Sequence, residues 1–255
     1  MYGLEQKVYE QLIKLKNDYD LQGIKAEFEA EGSTFRDIMR LRRLTSRAGI
    51  SLFVKIGGVE ALRDIKDCLE LGVDGIIAPM VETKFGVKKF YEAYESVYRG
   101  HRIHLSINIE TRNAAEEIDS ILEYSKGKID NITLGRTDFS ASYFDPAVTP
   151  DSDFTFKMIK DIGERVVKAG FKFTVGGSLS VATIEKMNKN SDQIKNISKL
   201  ETRKVILPKN IMLHKAEVIV EALKFEELYI LSKKEFSDLF IESEVSRLAK
   251  LTRRT

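Results

Sequence analysis

Short β-prone runs alternate with amphipathic helical patterns along most of this chain. The runs are Gly23 to Ala30, Ser51 to Ile56, Gly75 to Met80, Ile103 to Glu110, Asn131 to Gly135, Lys172 to Val175 and Lys204 to Leu207. Between them, apolar residues recur at helical spacing near residues 34–48, 59–71, 84–99, 111–126, 154–169 and 181–197. Each strand-plus-helix unit takes roughly 25–35 residues, the length a parallel crossover needs. Leu4, Val8, Leu12 and Leu15 give the opening segment one apolar helical face, and the chain after Ile211 reads as helical almost to its end. The pattern predicts an α/β fold, a TIM-type (β/α) barrel forming one domain over 1–255, with helical extensions over about 1–20 and 211–255. Only seven strands are legible, so the barrel either recruits a hidden strand or closes in a modified way. An open doubly wound sheet is the alternative.

The faces of the strands favour the barrel. Strands covered on both sides are usually apolar throughout, yet several here alternate. In the first, Lys25, Glu27, Glu29 and Glu31 share one face while Ala26, Phe28 and Ala30 share the other. In the fourth, His104, Ser106, Asn108 and Glu110 oppose Leu105, Ile107 and Ile109. A polar inward face suits a barrel whose upper interior binds a polar ligand. A half-exposed antiparallel sheet would alternate too, but the intervening helices argue against it.

Composition narrows the class. The 255 residues, 43% hydrophobic, suffice for one well-buried core. With 41 basic and 39 acidic residues the net charge is +2, without the basic excess of a nucleic-acid binder. The basic tail, Lys250 to Arg254, reads as a frayed, solvated end. Cys68 is the sole cysteine, reads as a small buried side chain, and admits no intrachain disulfide. The amino end lacks a signal-peptide pattern and no stretch approaches a membrane span, so a cytoplasmic protein without membrane or nucleic-acid partners is expected.

Glu110 and Asp138 carry the candidate chemistry, because both stand at strand ends, where parallel α/β folds build ligand sites. With waters and substrate oxygens, two hard carboxylates suit Mg²⁺ or Mn²⁺. Either acid alone has an ordinary role, Glu110 at a helix start and Asp138 in a turn. Lys55, late in the second strand, either holds a substrate carboxylate or pairs internally with Glu27 or Glu29, and Schiff-base chemistry is a further option. Arg136 either binds a substrate anion or forms a surface ion pair. Gly57-Gly58 and Gly176-Gly177 follow β-prone runs and mark turns or close approach to an anion, and neither pair matches a nucleotide fingerprint. The three histidines form no triad, and structural roles are expected for His104 and His214.

At these residues the chain resembles the HpcH/HpaI aldolase and citrate lyase family. The matching stretches are Gly72-Val73-Asp74-Gly75-Ile76-Ile77-Ala78-Pro79-Met80-Val81, Asn108-Ile109-Glu110-Thr111 and Leu134-Gly135-Arg136-Thr137-Asp138-Phe139-Ser140. The resemblance runs in register from about Ile24 to Asp145 and more loosely to Pro208. It implies a barrel of the phosphoenolpyruvate/pyruvate type, usually oligomeric, whose members make or break carbon–carbon bonds beside a carboxylate-bearing enolate with a divalent metal. Its two metal-binding acids fall on Glu110 and Asp138, and a polar position two residues before the first falls on Asn108. Three departures stand out. Lys55 occupies the place of a common arginine, the acid-rich Glu27-Phe28-Glu29-Ala30-Glu31-Gly32 stands where aldolases have a histidine base, and Gly135-Arg136 replaces a glycine-proline pair.

The expected protein is a metal-dependent lyase or aldolase of a 2-oxoacid or related small carboxylate, assembled as a homo-oligomer. Glu110 and Asp138 would hold Mg²⁺ or Mn²⁺. Lys55 and Arg136 would neutralise substrate anions, and Glu29 would transfer protons or orient water. Asn108, Thr137 and Gly176 would contact substrate. Cleavage of a CoA thioester, as in the citrate-lyase branch, is one rival. A regulatory barrel that keeps the metal acids without catalysis is the other.

Overall fold

The computed structural model describes residues 1–215 and 217–252, so Arg253 and Arg254 of the basic tail lie outside the described residues. Helix α1 (Glu5–Tyr19) leads into β1 (Gly23–Glu27), then α2 (Phe35–Ala48), β2 (Leu52–Lys55), α3 (Leu62–Leu71), β3 (Gly75–Ala78) and α4 (Lys84–Tyr98). The middle of the chain forms β4 (His104–Ile109), α5 (Arg112–Glu116), α6 (Ile118–Ser125), β5 (Asn131–Gly135), α7 (Arg136–Ala141) and α8 (Asp153–Lys168). It finishes with β6 (Lys172–Gly176), α9 (Val181–Lys189), β7 (Lys199–Glu201), β8 (Val205–Pro208), α10 (Lys209–His214) and α11 (Glu217–Thr252). The strands close into one eight-stranded barrel in sequence order, which removes the open-sheet alternative.

The closure is modified, as the missing strand suggested. Strands β1 to β7 pair in parallel, whereas β8 runs antiparallel to both β7 and β1. The hidden strand is β7. A three-residue turn, Thr202-Arg203-Lys204, joins it to β8 in place of a crossover helix. Thr202 N–H donates to the Val205 carbonyl at 2.9 Å, and Val205 N–H donates to Thr202 Oγ1 at 3.0 Å.

Both faces of the barrel wall are buried for different reasons. Outward side chains such as Ala26, Val54, Ile107 and Val175 pack under the helices with no exposed surface. Inside, the filling changes with height. At the amino ends, Phe53 meets His104 edge-on, with centroids 5.4 Å apart. The Phe53 ring lies over Gly75, where a Cβ would stand 2.5 Å away. Burial lowers the His104 pKa, and its role is packing, as expected. Above it lies a neutral polar belt. Asn131 donates to Ser106 at 2.9 Å and Thr133 at 3.0 Å, and accepts from Thr174 at 2.8 Å, so its buried amide is satisfied. Most inward charges gather towards the carboxyl ends, with Lys199 at the start of β7 an exception.

Helix α11 has 36 residues, about 54 Å at 1.5 Å per residue. Its first half packs on the barrel through Val218, Ala222, Phe225 and Tyr229 and is tied to α1 by the Lys14–Glu221 pair at 2.6 Å. Its second half leaves Leu239, Phe240, Ile241, Val245 and Leu248 exposed. Among the described residues, no helix is long and apolar enough to cross a membrane. Cys68 is buried, and burial raises its thiol pKa well above the ordinary value.

Candidate active site

A cavity of about 430 Å³ opens at the carboxyl ends of the parallel strands. Glu110, directly after β4, is one of its walls. Its Oε2 accepts from the Met80 N–H and its Oε1 from the Asn108 amide, both at 3.0 Å. Met80 has φ of 50°, an unusual conformation for a side-chain-bearing residue, in which its N–H meets this carboxylate. Opposite, Gly135 makes room, since a Cβ there would stand 2.7 Å from Glu110 Oε1. Thr111, not Glu110, caps the next helix by accepting from Ala114 N–H at 3.1 Å. The carboxylate is therefore free of the capping role.

Burial pushes the Glu110 pKa up, and the charge of Asp138 adds to the rise. Lys55 and the two hydrogen bonds oppose it without prevailing. Asp138 lies in the first turn of α7, exposed and lining the same cavity, and its carboxylate makes no hydrogen bond or ion pair among the described residues. Lys55 Nζ stands 3.6 Å from Glu27 Oε2. Burial alone would lower its pKa, but Glu27, Glu110, Glu29 and Asp138 together outweigh burial and raise it.

Several expected roles are corrected. β1 ends at Glu27, two residues before Glu29. Phe28 N–H makes the last pairing, to the Lys55 carbonyl at 3.0 Å, and the chain then turns with Gly32 N–H on the Glu29 carbonyl. Glu29 is consequently exposed and outside the cavity wall, while Glu27 points into it. Arg136 is fully buried and spent. Its guanidinium donates to the carbonyls of Gly176, Gly177 and Pro150 and to Asp151 Oδ1 at 2.7 Å, so it faces no substrate. Gly176 serves the fold as well. A Cβ there would stand 2.7 Å from Glu201 Cγ, and the neighbouring Gly177 is the one that lines the cavity. Gly57 donates to Asp64 at 2.8 Å and marks a turn. Asn108 and Thr137 do line the cavity, the latter with Oγ1 2.9 Å from Ser178 Oγ.

The wall also holds residues that received no role in the sequence reading. Lys25 and Glu201 form a buried pair at 2.7 Å. Arg203 sits at the rim beside Glu226. Lys25 and Glu27 were visible in the alternating face of β1, but nothing in the sequence pointed to Glu201 or Arg203.

The donor set fits a small hard cation. Glu110 and Asp138 present carboxylate oxygens, and the buried Asn108 Oδ1, two residues before Glu110, has no hydrogen-bond partner among the described residues. Among the described residues no three His, Cys, Asp or Glu side chains gather as a cation cage. The cavity wall carries five carboxylates and three cationic side chains, an excess of two negative charges that one divalent ion would balance.

A family model described as HpcH/HpaI aldolase/citrate lyase matches residues 34–176, more than half of the chain. Among solved structures, an HpcH/HpaI aldolase from Desulfitobacterium hafniense DCB-2 is similar with a TM-score of 0.60 and 18% identity, covering 76% of this chain and 82% of that one. An HpcH/HpaI aldolase/citrate lyase family protein from Burkholderia cenocepacia J2315 gives 0.60 and 13%, covering 84% and 88%. A variant of the citrate synthase SbnG gives 0.56 and 18%, covering 88% and 99%. At these identities the likeness is one of fold. No curated protein matches the chain in sequence.

Proposed function

Because the chain belongs to the HpcH/HpaI aldolase/citrate lyase family, we propose that it is a divalent-metal-dependent carbon–carbon lyase or aldolase acting through the enolate of a 2-oxoacid or related carboxylate. The observation that carries this reading is the shared cavity of Glu110 and Asp138, with Lys55 close enough for both acids to shift its pKa. Glu110 and Asp138 would hold Mg²⁺ or Mn²⁺, which when bound supplies Lewis-acid stabilisation of enolate charge. Lys55 stays protonated and neutralises the substrate carboxylate, and Asn108 and Thr137 orient its oxygens. Glu27 takes over the proton-transfer role expected of Glu29, since its carboxylate lies inside the cavity. In the cleavage direction Glu27 accepts the substrate hydroxyl proton as the adjacent carbon–carbon bond breaks. The bond's electron pair forms the enolate, whose carbon then takes that proton back from Glu27.

The whole of 1–255 acts as one unit in this reading, in the cytoplasm, as a homo-oligomer. The exposed apolar side chains of the second half of α11 support self-association. The test is Mn²⁺ binding followed by electron paramagnetic resonance, with and without oxalate. Glu110→Gln and Asp138→Asn should each weaken Mn²⁺ by at least about tenfold, as loss of a metal ligand should exceed loss of an outer partner. Parent-like affinity in both variants would sink the assignment.

A further inference from the structure

We infer that the floor of the barrel, at the amino ends of the strands and opposite the candidate active site, binds a phosphate-type oxyanion among Lys199, Lys172 and His104. The inference is independent of the lyase reading, because it concerns the other end of the barrel.

Strand alternation brings the three bases together. His104 opens β4, Lys172 opens β6 and Lys199 opens β7. His104 and Lys199 line one small interior cavity with Ser106 and Thr174. Lys172 stands two residues before Thr174 and so shares its inward face. The bases are close enough to feel one another. Burial lowers the pKa of Lys199, and the charge of Lys172 lowers it further against the pull of Glu201. Burial also lowers that of His104; Asp130 opposes the fall, and Lys199, Lys172 and Arg102 add to it.

No acid answers this charge. Elsewhere in the barrel Lys25, Lys55 and Lys204 each face a carboxylate, from Glu201, Glu27 and Glu31. Lys172 and Lys199 make no side-chain hydrogen bond or ion pair among the described residues, and the His104 ring has only its edge contact with Phe53. The nearby acids are committed. Asp130 accepts from Arg102 and from the Leu105 N–H, both at 2.8 Å, and Glu201 holds Lys25 at 2.7 Å. A lysine at a strand start is ordinarily a solvated charge. Lys199 differs in being half-buried, beside a second ammonium and an imidazole. Like charges drawn together out of water disfavour their own ionised forms, and an anion held among them reverses that penalty.

Size and charge set the ligand class. The interior cavity is about 20 Å³, room for one water. The anion therefore sits below it, at the opening, where Lys172 is exposed. Donors from three strands suit an oxyanion with several oxygens, and charge-assisted bonds favour one carrying two charges. Phosphate fits, either free or as the end of a small ester whose remainder stays in solvent.

The test follows the imidazole C–H resonances of the three histidines by NMR during titration with inorganic phosphate, with ionic strength held constant by sodium chloride. The His104 resonance, identified by its loss in His104→Gln, should shift saturably while His101 and His214 stay fixed. Its pKa should rise, since a bound anion favours the protonated ring. Lys199→Met should weaken phosphate at least about tenfold and Lys172→Met about threefold, as fits a half-buried and an exposed ammonium. Phosphate should raise the thermal midpoint of the parent but not of Lys199→Met, and Mn²⁺ affinity should be equal in the two. Methyl phosphate, run in parallel, separates the sources. Affinity equal to that of phosphate shows that the site accepts a phosphorylated metabolite, and binding of phosphate alone assigns it to the free ion. The inference is overturned if chloride produces the same shift, if both lysine variants keep parent-like phosphate affinity, or if the midpoint gain survives in Lys199→Met. A parent that binds phosphate here but no Mn²⁺ removes the metal reading and leaves this site standing.

Discussion

Two arginines, Arg136 directly after β5 and Arg203 two residues after β7, follow the carboxyl ends of parallel strands and have opposite fates. Arg136 is wholly buried and gives its donors to three carbonyls and Asp151. Arg203 is exposed at the cavity rim and gives its donors to no described residue. Residue type and strand-end position are the same, so neither decides function. The deciding quantity is how many donors remain after the fold has taken its share. A guanidinium whose donors are engaged is part of the scaffold, holding the turn after β6 against the start of α8. One with its donors open can recognise an anion.

The largest test of this contrast is Arg136→Met. Removing the guanidinium strips donors from the buried Gly176, Gly177 and Pro150 carbonyls and leaves Asp151 with only its Thr183 hydroxyl partner, so urea unfolding should show a loss of about 3 kcal/mol or more. A change below about 1 kcal/mol would mean that the clamp is dispensable. Next is Lys25→Met, which strands the buried Glu201 carboxylate and should cost about 3 kcal/mol. Adding Glu201→Met should recover much of the loss, because two apolar groups leave no unpaired charge. Failure of the double variant to recover would show that the pair does more than compensate itself. Arg203→Met should alter unfolding stability by no more than about 0.5 kcal/mol, as for an exposed side chain without structural partners.

The smallest expected effect concerns Lys55, which lies between the two extremes: paired with Glu27, yet facing the cavity. Folding raises its pKa above the ordinary 10.5. Its stabilising contribution is thus complete below that value and is lost only as pH rises through the higher folded value. At neutral pH the amine remains protonated and a poor nucleophile. Borohydride reduction with pyruvate should leave the intact mass unchanged, and a trapped adduct on Lys55 would overturn that protonation state.

Much of the fold was legible because β1 to β6 each combine a β-prone run with a following helical face. β7 was not, since Lys199-Leu200-Glu201 has one apolar residue and two inward charges. Glu201 is tolerated inside only because Lys25, far away in sequence, meets it. The reversal of β8 was equally hidden, because a short run such as Val205–Pro208 carries no sign of direction. That Glu110 and Asp138 would line one cavity could be read from their positions at strand ends. Glu29 was misplaced because the alternation from Lys25 to Glu31 continues past the point where pairing stops. Arg136 was misread because its acceptors are backbone carbonyls up to 41 residues away, and composition cannot display them.

The hairpin between β7 and β8 has an electrostatic consequence of its own. In a fully parallel barrel, the helix after each strand begins at the mouth and brings the positive end of a dipole, equivalent to about half an elementary charge. Replacing that helix with Thr202-Arg203-Lys204 removes one such end from this rim. In its place the chain puts a whole formal charge on a swinging side chain, exchanging a fixed, diffuse potential for one that can follow the shape of what it meets.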